Sequence, residues 1–253
     1  MSGQSKWSNI KHKKGIADAK KGAAFTKLAR ELTVATRQGG GGDPSSNYHL
    51  RLAVEKARQA NMKNEAIERS IKKGLGTDAE STALEETAYE GYGPGGAAIM
   101  ILGLTDNRNR TASEVRTLFS RNGGNLAESG SVSWIFETKA VITVESIPVD
   151  QAEELALGTI DAGADDFKVD AGSLEVSGPP SMLEEMINVI ESSGVKPTSS
   201  SVTLIPKTTT VLDDSSAIQT LKLLDKLDDL DDIHQGFTIA EFTDSALEKF
   251  NAE

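Results

Sequence analysis

The stretch Lys139–Pro206, KAVITVESIPVDQAEELALGTIDAGADDFKVDAGSLEVSGPPSMLEEMINVIESSGVKPTSSSVTLIP, decides the fold class. Lys139–Glu145 is rich in β-branched residues and reads as a strand. Asp150 and Glu153 stand three apart at the head of a helical run, the spacing of a capping box. Phe167–Val169 and Ser173–Ser177 bracket Asp170–Gly172 as a hairpin. Ser181–Ser192 places Leu183, Met186, Ile187 and Ile190 on one helical face, and Val202–Ile205 closes the series as a strand. The order is β-α-β-β-α-β, that of a ferredoxin-like split βαβ unit.

Outward from this unit the pattern repeats in broken form. Before it come a strand at Ala97–Leu104, a helix at Thr111–Asn122 and a strand at Ser131–Phe136. The helix turns Ala112, Val115, Leu118 and Phe119 inward and carries a capping-box pair at Thr111 and Glu114. After it, Leu212–Leu230 contains a helix built on Ile218, Leu221, Leu224 and Leu227, and Gly236–Phe242 is a last strand. These flanks together make a second α+β domain, 77–138 plus 207–253, with 139–206 inserted into it. Residues 77–86, TDAESTALEE, read as a linker.

Residues 1–76 form a basic helical domain with an N-terminal arm. The arm, residues 1–15, is polar and aperiodic. Phe25, Leu28, Ala29 and Leu32 then recur at helical spacing in a helix from Ile16 to Arg37, with Lys20, Lys27, Arg30 and Arg37 spread over the opposite side. Gly39–Asp43 breaks that helix, and Asp43-Pro44 starts a second one carrying Leu50, Ala53, Val54 and Ala57. A short third helix holds Ile67 and Ile71 and ends at Lys72-Lys73-Gly74. The fold class expected is therefore α+β, an N-terminal three-helix domain followed by two ferredoxin-like α+β domains, one inserted in the other.

Charge is segregated along the 253 residues, whose formal net is −11. Residues 1–76 hold 16 of the 27 Lys and Arg but 6 of the 38 Asp and Glu, a net of +10. Residues 77–253 hold the other 11 and 32, a net of −21. Because fields act within a Debye length of roughly 8–10 Å, the basic part can face a polyanion while the acidic part stays off it. The same asymmetry also fits a helical face docked by charge attraction on an acidic body. The absence of cysteine excludes disulfides, thiolate metal sites and a cysteine nucleophile. No apolar run suits a membrane span and the N-terminus lacks a signal peptide, so a cytoplasmic location without membrane contact is expected.

The motifs sort as follows. Tyr89–Gly96, YEGYGPGG, contains the spacing G-x-G-x-x-G but runs into a strand rather than a helix, so it reads as a glycine-rich turn, not a dinucleotide site. Leu104–Thr111, LTDNRNRT, leads from a strand end into a helix start. Its Arg108 and Arg110 either join free backbone N–H groups in an anion site or belong to a loop tied to Asp106. His12, His49 and His234 lie far apart, so no metal site is expected. The acidic run at Asp228–Asp232 reads as a solvated helix end. No catalytic constellation and no cofactor motif are present, and an enzyme is not expected. In the arm, Trp7 sits among Lys6, Lys11, His12, Lys13 and Lys14. Its ring either docks the arm on the bundle or stacks on a base, and the lysines are available for phosphate in both cases. Candidate nucleic-acid-binding residues are thus Lys6, Trp7, Lys11, His12, Lys13, Lys14, Lys20, Lys21, Lys27, Arg30, Arg37, Arg51, Arg108 and Arg110.

Taken in order, these segments resemble the YebC/PmpR family over nearly the whole chain. The resemblance rests on SKWSNIKHKK at Ser5–Lys14, FTKL at Phe25–Leu28, GGGGDP at Gly39–Pro44 and IER at Ile67–Arg69. It rests further on YEGYGPGG, LTDNRNRT, NGGNL at Asn122–Leu126 and GSVSW at Gly130–Trp134. It implies a three-domain α+β protein without catalysis. It also implies one of two roles, a DNA-binding transcriptional regulator or a translation factor acting on the ribosome. Tyr48-His49 stand where the family usually has Pro-Arg, and Ala23 replaces a common lysine. The partner expected is therefore nucleic acid, DNA or rRNA, with a small-molecule sensor as a reading from another class.

Overall fold

The structure, a computed structural model, describes residues 21–77, 84–170 and 172–252. The fold class is the α+β one expected: three N-terminal helices followed by sheet-containing domains. Chain contacts divide it into two compact units, residues 136–207 and a second formed by the residues on either side.

In the second unit, helices α1 (Lys21–Gln38), α2 (Tyr48–Gln59) and α3 (Asn64–Leu75) come first. α1 packs on both others. Leu32, Ala35, Leu50, Ala53, Val54, Ala57 and Ile67 form the core, with Met62 and Ile71 against it. Phe25, expected in that core, is 37% exposed. Asp43-Pro44 does not open α2 as expected. It makes a turn, and Asn47 caps the helix by accepting from the Leu50 N–H at 3.0 Å. The buried Asn47 amide also donates to Ala35 O and Gly41 O, so one side chain ties α1, the glycine corner and α2 together.

The same unit contains strands β1 (Glu85–Tyr92), β2 (Ala98–Thr105) and β3 (Asn125–Leu126), with helix α4 (Arg108–Arg121) between β2 and β3. After the inserted unit come β8 (Thr210–Val211), α7 (Asp214–Asp228), β9 (Ile233–Thr238), β10 (Ala240–Glu241) and α8 (Asp244–Ala252). The antiparallel sheet has the order β3-β1-β2-β9, and β8 pairs with β10 in a separate parallel ribbon. Ile99, Ile101, Val115, Phe119, Leu221, Leu224 and Phe237 lie among the buried core residues. Strand β1 corrects the sequence reading: Glu85 and Glu86, assigned to a linker, already pair with β2. Its alternation is hidden because exposed Glu85 and Glu86 and buried Glu90 break the apolar pattern. The glycine segment behaves as expected, with Gly93–Gly96 turning the chain from β1 into β2. α8 and the β8–β10 ribbon were not expected. The last strand begins earlier than Gly236 and breaks after Thr238.

The expected strand Ser131–Phe136 is also absent. A 3-10 turn occupies Ser133–Ile135, because Glu90 draws in the backbone there. The buried Glu90 carboxylate accepts from the N–H groups of Gly130, Val132 and Ser133 at 2.8, 2.7 and 2.9 Å. Burial opposes its charge, but these donors outweigh that and lower its pKa. The expected capping boxes fail too. α4 starts at Arg108 under Asn107, which accepts from the Arg110 N–H, and Thr111 is buried inside it.

The unit 136–207 comprises β4 (Phe136–Glu145), α5 (Val149–Asp161), β5 (Asp166–Asp170), β6 (Ser173–Gly178), α6 (Leu183–Ser192) and β7 (Ser199–Pro206). Pro148 stands at the N-cap of α5 with no side-chain bond, so Asp150 and Glu153 form no capping box. The antiparallel order β5-β6-β4-β7 is the split βαβ arrangement read from the sequence. Period-two burial on β6 (Leu174, Val176) faces the buried stripes of α5 and α6.

Gly91 lets β1, β3 and α4 close up. A Cβ there would stand 2.6 Å from Phe119 Cε1 and 2.7 Å from the Asn125 carbonyl. Gly91→Ala is expected to destabilise the protein by about 2 kcal/mol, read as a lowered thermal midpoint. An unchanged midpoint would contradict the packing of β3 on β1.

Candidate nucleic-acid interface

Lys27, Arg30 and Arg37 fall on one face of α1 at 100° per residue. That face does not lie open. Lys27 Nζ meets Asp228 Oδ2 at 2.5 Å, and Arg30 Nη2 donates to Asp232 Oδ1 at 2.8 Å. Arg30 Nη1 donates to the Leu104 carbonyl, and Arg37 Nη1 to the Leu84 carbonyl at 3.0 Å. The cationic stripe of α1 thus seats the helical domain on the sheet domain.

Asp232 is the centre of that seat and corrects the view of its run as a solvated helix end. It is 5% exposed. Its Oδ2 accepts from Arg110 Nη2 at 2.6 Å, Thr111 Oγ1 at 2.6 Å and Thr105 Oγ1 at 2.8 Å. Its carbonyl accepts from the Leu104 N–H. Burial raises its pKa, but the hydrogen bonds of Thr111, Arg110 and Thr105 and the charge of Arg30 outweigh this and hold it at about 2. Arg110 also donates to Asp106 Oδ1 at 2.8 Å. Of the two alternatives for LTDNRNRT, the structure therefore forms the loop tied to Asp106. Arg108 lies 3.8 Å from Glu85 and is exposed.

The exposed cations of the bundle are elsewhere. Arg51, Lys56, Arg58, Lys63, Arg69 and Lys72 on and between α2 and α3 are all exposed. Arg51 and Arg58 are seven residues apart and share one face of α2, while Arg69 and Lys72 share one face of α3. Arg51 lies over the Tyr48 ring, 5.1 Å from its centroid, and its Nε donates to Pro44 O. Lys56 pairs with Glu31 at 2.9 Å. Of these six, the sequence reading singled out Arg51 alone. The available signal was the inward stripe Leu50, Ala53, Val54, Ala57, which places Arg51 and Arg58 on the far side. Lys6, Trp7, Lys11, His12, Lys13, Lys14 and Lys20 lie outside the described residues, and of Lys21 the backbone alone is described. Among the described residues no group of three or more His, Asp or Glu is placed to hold a metal ion. No helix among them is long and apolar enough to cross a membrane.

His234, two residues from Asp232, has both ring nitrogens buried without a hydrogen-bond partner among the described residues. Burial, aided by the charge of Arg30, lowers its pKa from 6.5 to about 4. The unfolded chain therefore binds a proton that the folded chain refuses between these values. Stability is expected to fall as pH drops from about 6.5 to 4 through His234, and again from about 4 to 2 as Asp232 is protonated. Thermal midpoints measured across pH 3–8 check this, and His234→Gln should remove the upper phase alone. Asp232→Asn is expected to cost about 3 kcal/mol at neutral pH by stranding its arginines. A pH-independent midpoint in the His234 variant and wild type alike would contradict the first assignment.

Comparison with known proteins agrees with this architecture. Residues 5–77 match the family described as TACO1/YebC protein N-terminal domain, and residues 84–238 match TACO1/YebC second and third domain. A protein of Dehalococcoides mccartyi named "probable transcriptional regulatory protein" is 48% identical over 100% of both chains. A relative of that name from Chloroflexus aurantiacus is also 48% identical over 100% of both chains. The crystal structure of a conserved hypothetical protein from Aquifex aeolicus has a TM-score of 0.78 at 42% identity, covering 90% of this chain and 93% of that one. With both of its domain signatures matched and its relatives aligned end to end, this chain belongs to the TACO1/YebC family.

Proposed function

We propose that this protein is a non-enzymatic regulator of gene expression that binds nucleic acid through its basic head. The observation that carries the reading is the charge segregation: residues 1–76 have a net of +10 on a chain of net −11. The name shared by its relatives, probable transcriptional regulatory protein, supports it. With Lys27, Arg30 and Arg37 engaged in the seat, the phosphate contacts fall to Arg51, Arg58, Lys63, Arg69 and Lys72, together with the arm residues Lys6, Lys11, Lys13 and Lys14. Arg51 stacked on Tyr48 presents a fixed guanidinium fork, suited to a phosphodiester.

A ribosomal target is the second reading. The exposed side chains of α2 and α3 are mostly charged, and their amides are limited to Gln59 at the end of α2 and Asn64 at the start of α3. Such a surface suits phosphate positioning and RNA shape better than discrimination of base edges in a groove.

If about six phosphates are neutralised, log K is expected to fall with log salt at a slope near −5 on duplex DNA. The quadruple variant R51Q/R58Q/R69Q/K72Q should flatten that slope by about 4 and weaken binding equally across sequences. Binding that ignores both salt and these substitutions would refute the proposal. Co-sedimentation with ribosomes at physiological salt, set against footprinting on promoter DNA, separates the two targets.

A further inference from the structure

The unit 136–207 combines an open strand with an uncovered apolar flank. Its sheet ends at β5, which pairs with β6 on one side and with no strand on the other among the described residues. An edge of this kind templates the pairing of another chain unless proline, lysine or a covering element blunts it. β5 contains no proline, and its one lysine, Lys168, stands directly opposite Glu175 across the ladder. Phe167 and Val169 stand opposite the buried Val176 and Leu174, so they share the helix-covered face of the sheet.

α5 packs over β5 and β6 and leaves one flank bare. At 100° per residue, Val149, Leu157 and Ile160 fall with Glu153 in one sector of about 80°, and Gly158 lies on the other side of the helix. A Cβ on Gly158 would stand 3.2 Å from Val189 of α6. The Gly158 side therefore faces α6, and the Val149–Ile160 flank faces the β5 edge. Leu157 is 64% and Val149 54% exposed, and Ile160 and Phe167 are exposed beside them. A single exposed apolar residue needs no explanation, but four around one open strand form a patch. Its rim is acidic. Asp150, Glu153 and Asp161 of α5 are exposed and form no ion pair among the described residues, and Asp166 and Asp170 are exposed on β5. The whole unit holds 13 Asp and Glu against 4 Lys, a net of −9.

We propose that the open edge of β5 receives a strand from a protein partner, an extended segment that alternates apolar residues with Lys or Arg. Its main chain completes the hydrogen bonding of β5. Its apolar side chains lie beside Phe167 and Val169 against the bare flank of α5, and its cations lie beside Asp166 and Asp170 on the other face of the sheet. Charge selects this occupant. A net of −9 repels nucleic acid and anionic lipid, and a second copy of the chain would set the same carboxylates against each other. The inference concerns the inserted unit and does not rest on the nucleic-acid reading of the head.

The test uses the full-length protein labelled for backbone amide and methyl NMR. The probe is a peptide of about ten residues alternating Val and Lys. Two controls accompany it: the same peptide with Glu for Lys, and one N-methylated at each Val, which keeps charge and apolar surface but cannot pair as a strand. With the Val-Lys peptide, saturable shifts are expected at the β5 amides and the Ile160 methyls, weakening as salt rises. Neither control should shift them. Val149→Ser combined with Leu157→Ser should weaken binding roughly tenfold and leave the thermal midpoint unchanged, since both side chains are exposed. No shift at β5, equal shifts with either control, or binding indifferent to the double substitution would overturn the proposal. A dimer mass in sedimentation, with β5 signals that move on dilution of the protein alone, would give the edge to a second copy and overturn it as well.

Discussion

The Asp232 carboxylate is the constraint on which the second unit depends. A charge buried to this degree is costly unless its lone pairs are filled. It is met by Arg30 from α1, Arg110 from α4 and the hydroxyls of Thr105 and Thr111. Three separate elements therefore converge on one group. Removing any donor leaves a desolvated charge without its full complement, which penalises alternative placements of α1. A seat built from ion pairs is more directional than an apolar one, because the fork of Arg30 has to meet both the carboxylate and the Leu104 carbonyl.

This seat redistributes the charge of the head. Lys27 and Arg30 neutralise Asp228 and Asp232 instead of meeting solvent, so α1 becomes an internal helix, apolar towards α2 and α3 and cationic towards the sheet domain. The exposed cations described in the bundle are those on and between α2 and α3. Within the acidic run, α1 pairs Asp228 and Asp232 with cations, while Asp229 and Asp231 between them stay exposed. Intramolecular docking and the presentation of a basic surface are thus two results of one charge pattern.

Three of the motifs behind the family resemblance are parts of polar hydrogen-bond networks. LTDNRNRT supplies Thr105, Asp106, Arg110 and Thr111 to the Asp232 cluster. NGGNL supplies the cap of α4. GSVSW supplies three backbone N–H groups to Glu90, the second buried carboxylate of this domain. Their residue types follow from hydrogen-bond satisfaction in places where water is excluded. In the bundle, by contrast, the exposed cations of α2 and α3 carry no such obligation.

Period and composition alone determined the split βαβ unit, the three-helix start, the α+β class and the segregation of charge. Apolar spacing reports which face of an element is inside, and the β6, α5 and α6 stripes obey it. Tertiary structure decided what no local pattern encodes. Glu90 is acidic and sits inside a strand because three distant N–H groups receive it, so β1 broke the alternation that would have revealed it. Asp232 is acidic and buried because two arginines come to it from 122 and 202 residues away along the chain. The same pairing took Lys27 and Arg30 out of solvent. Whether a charged side chain meets water, phosphate or another part of its own chain depends on what stands opposite it, and that is a property of the folded molecule.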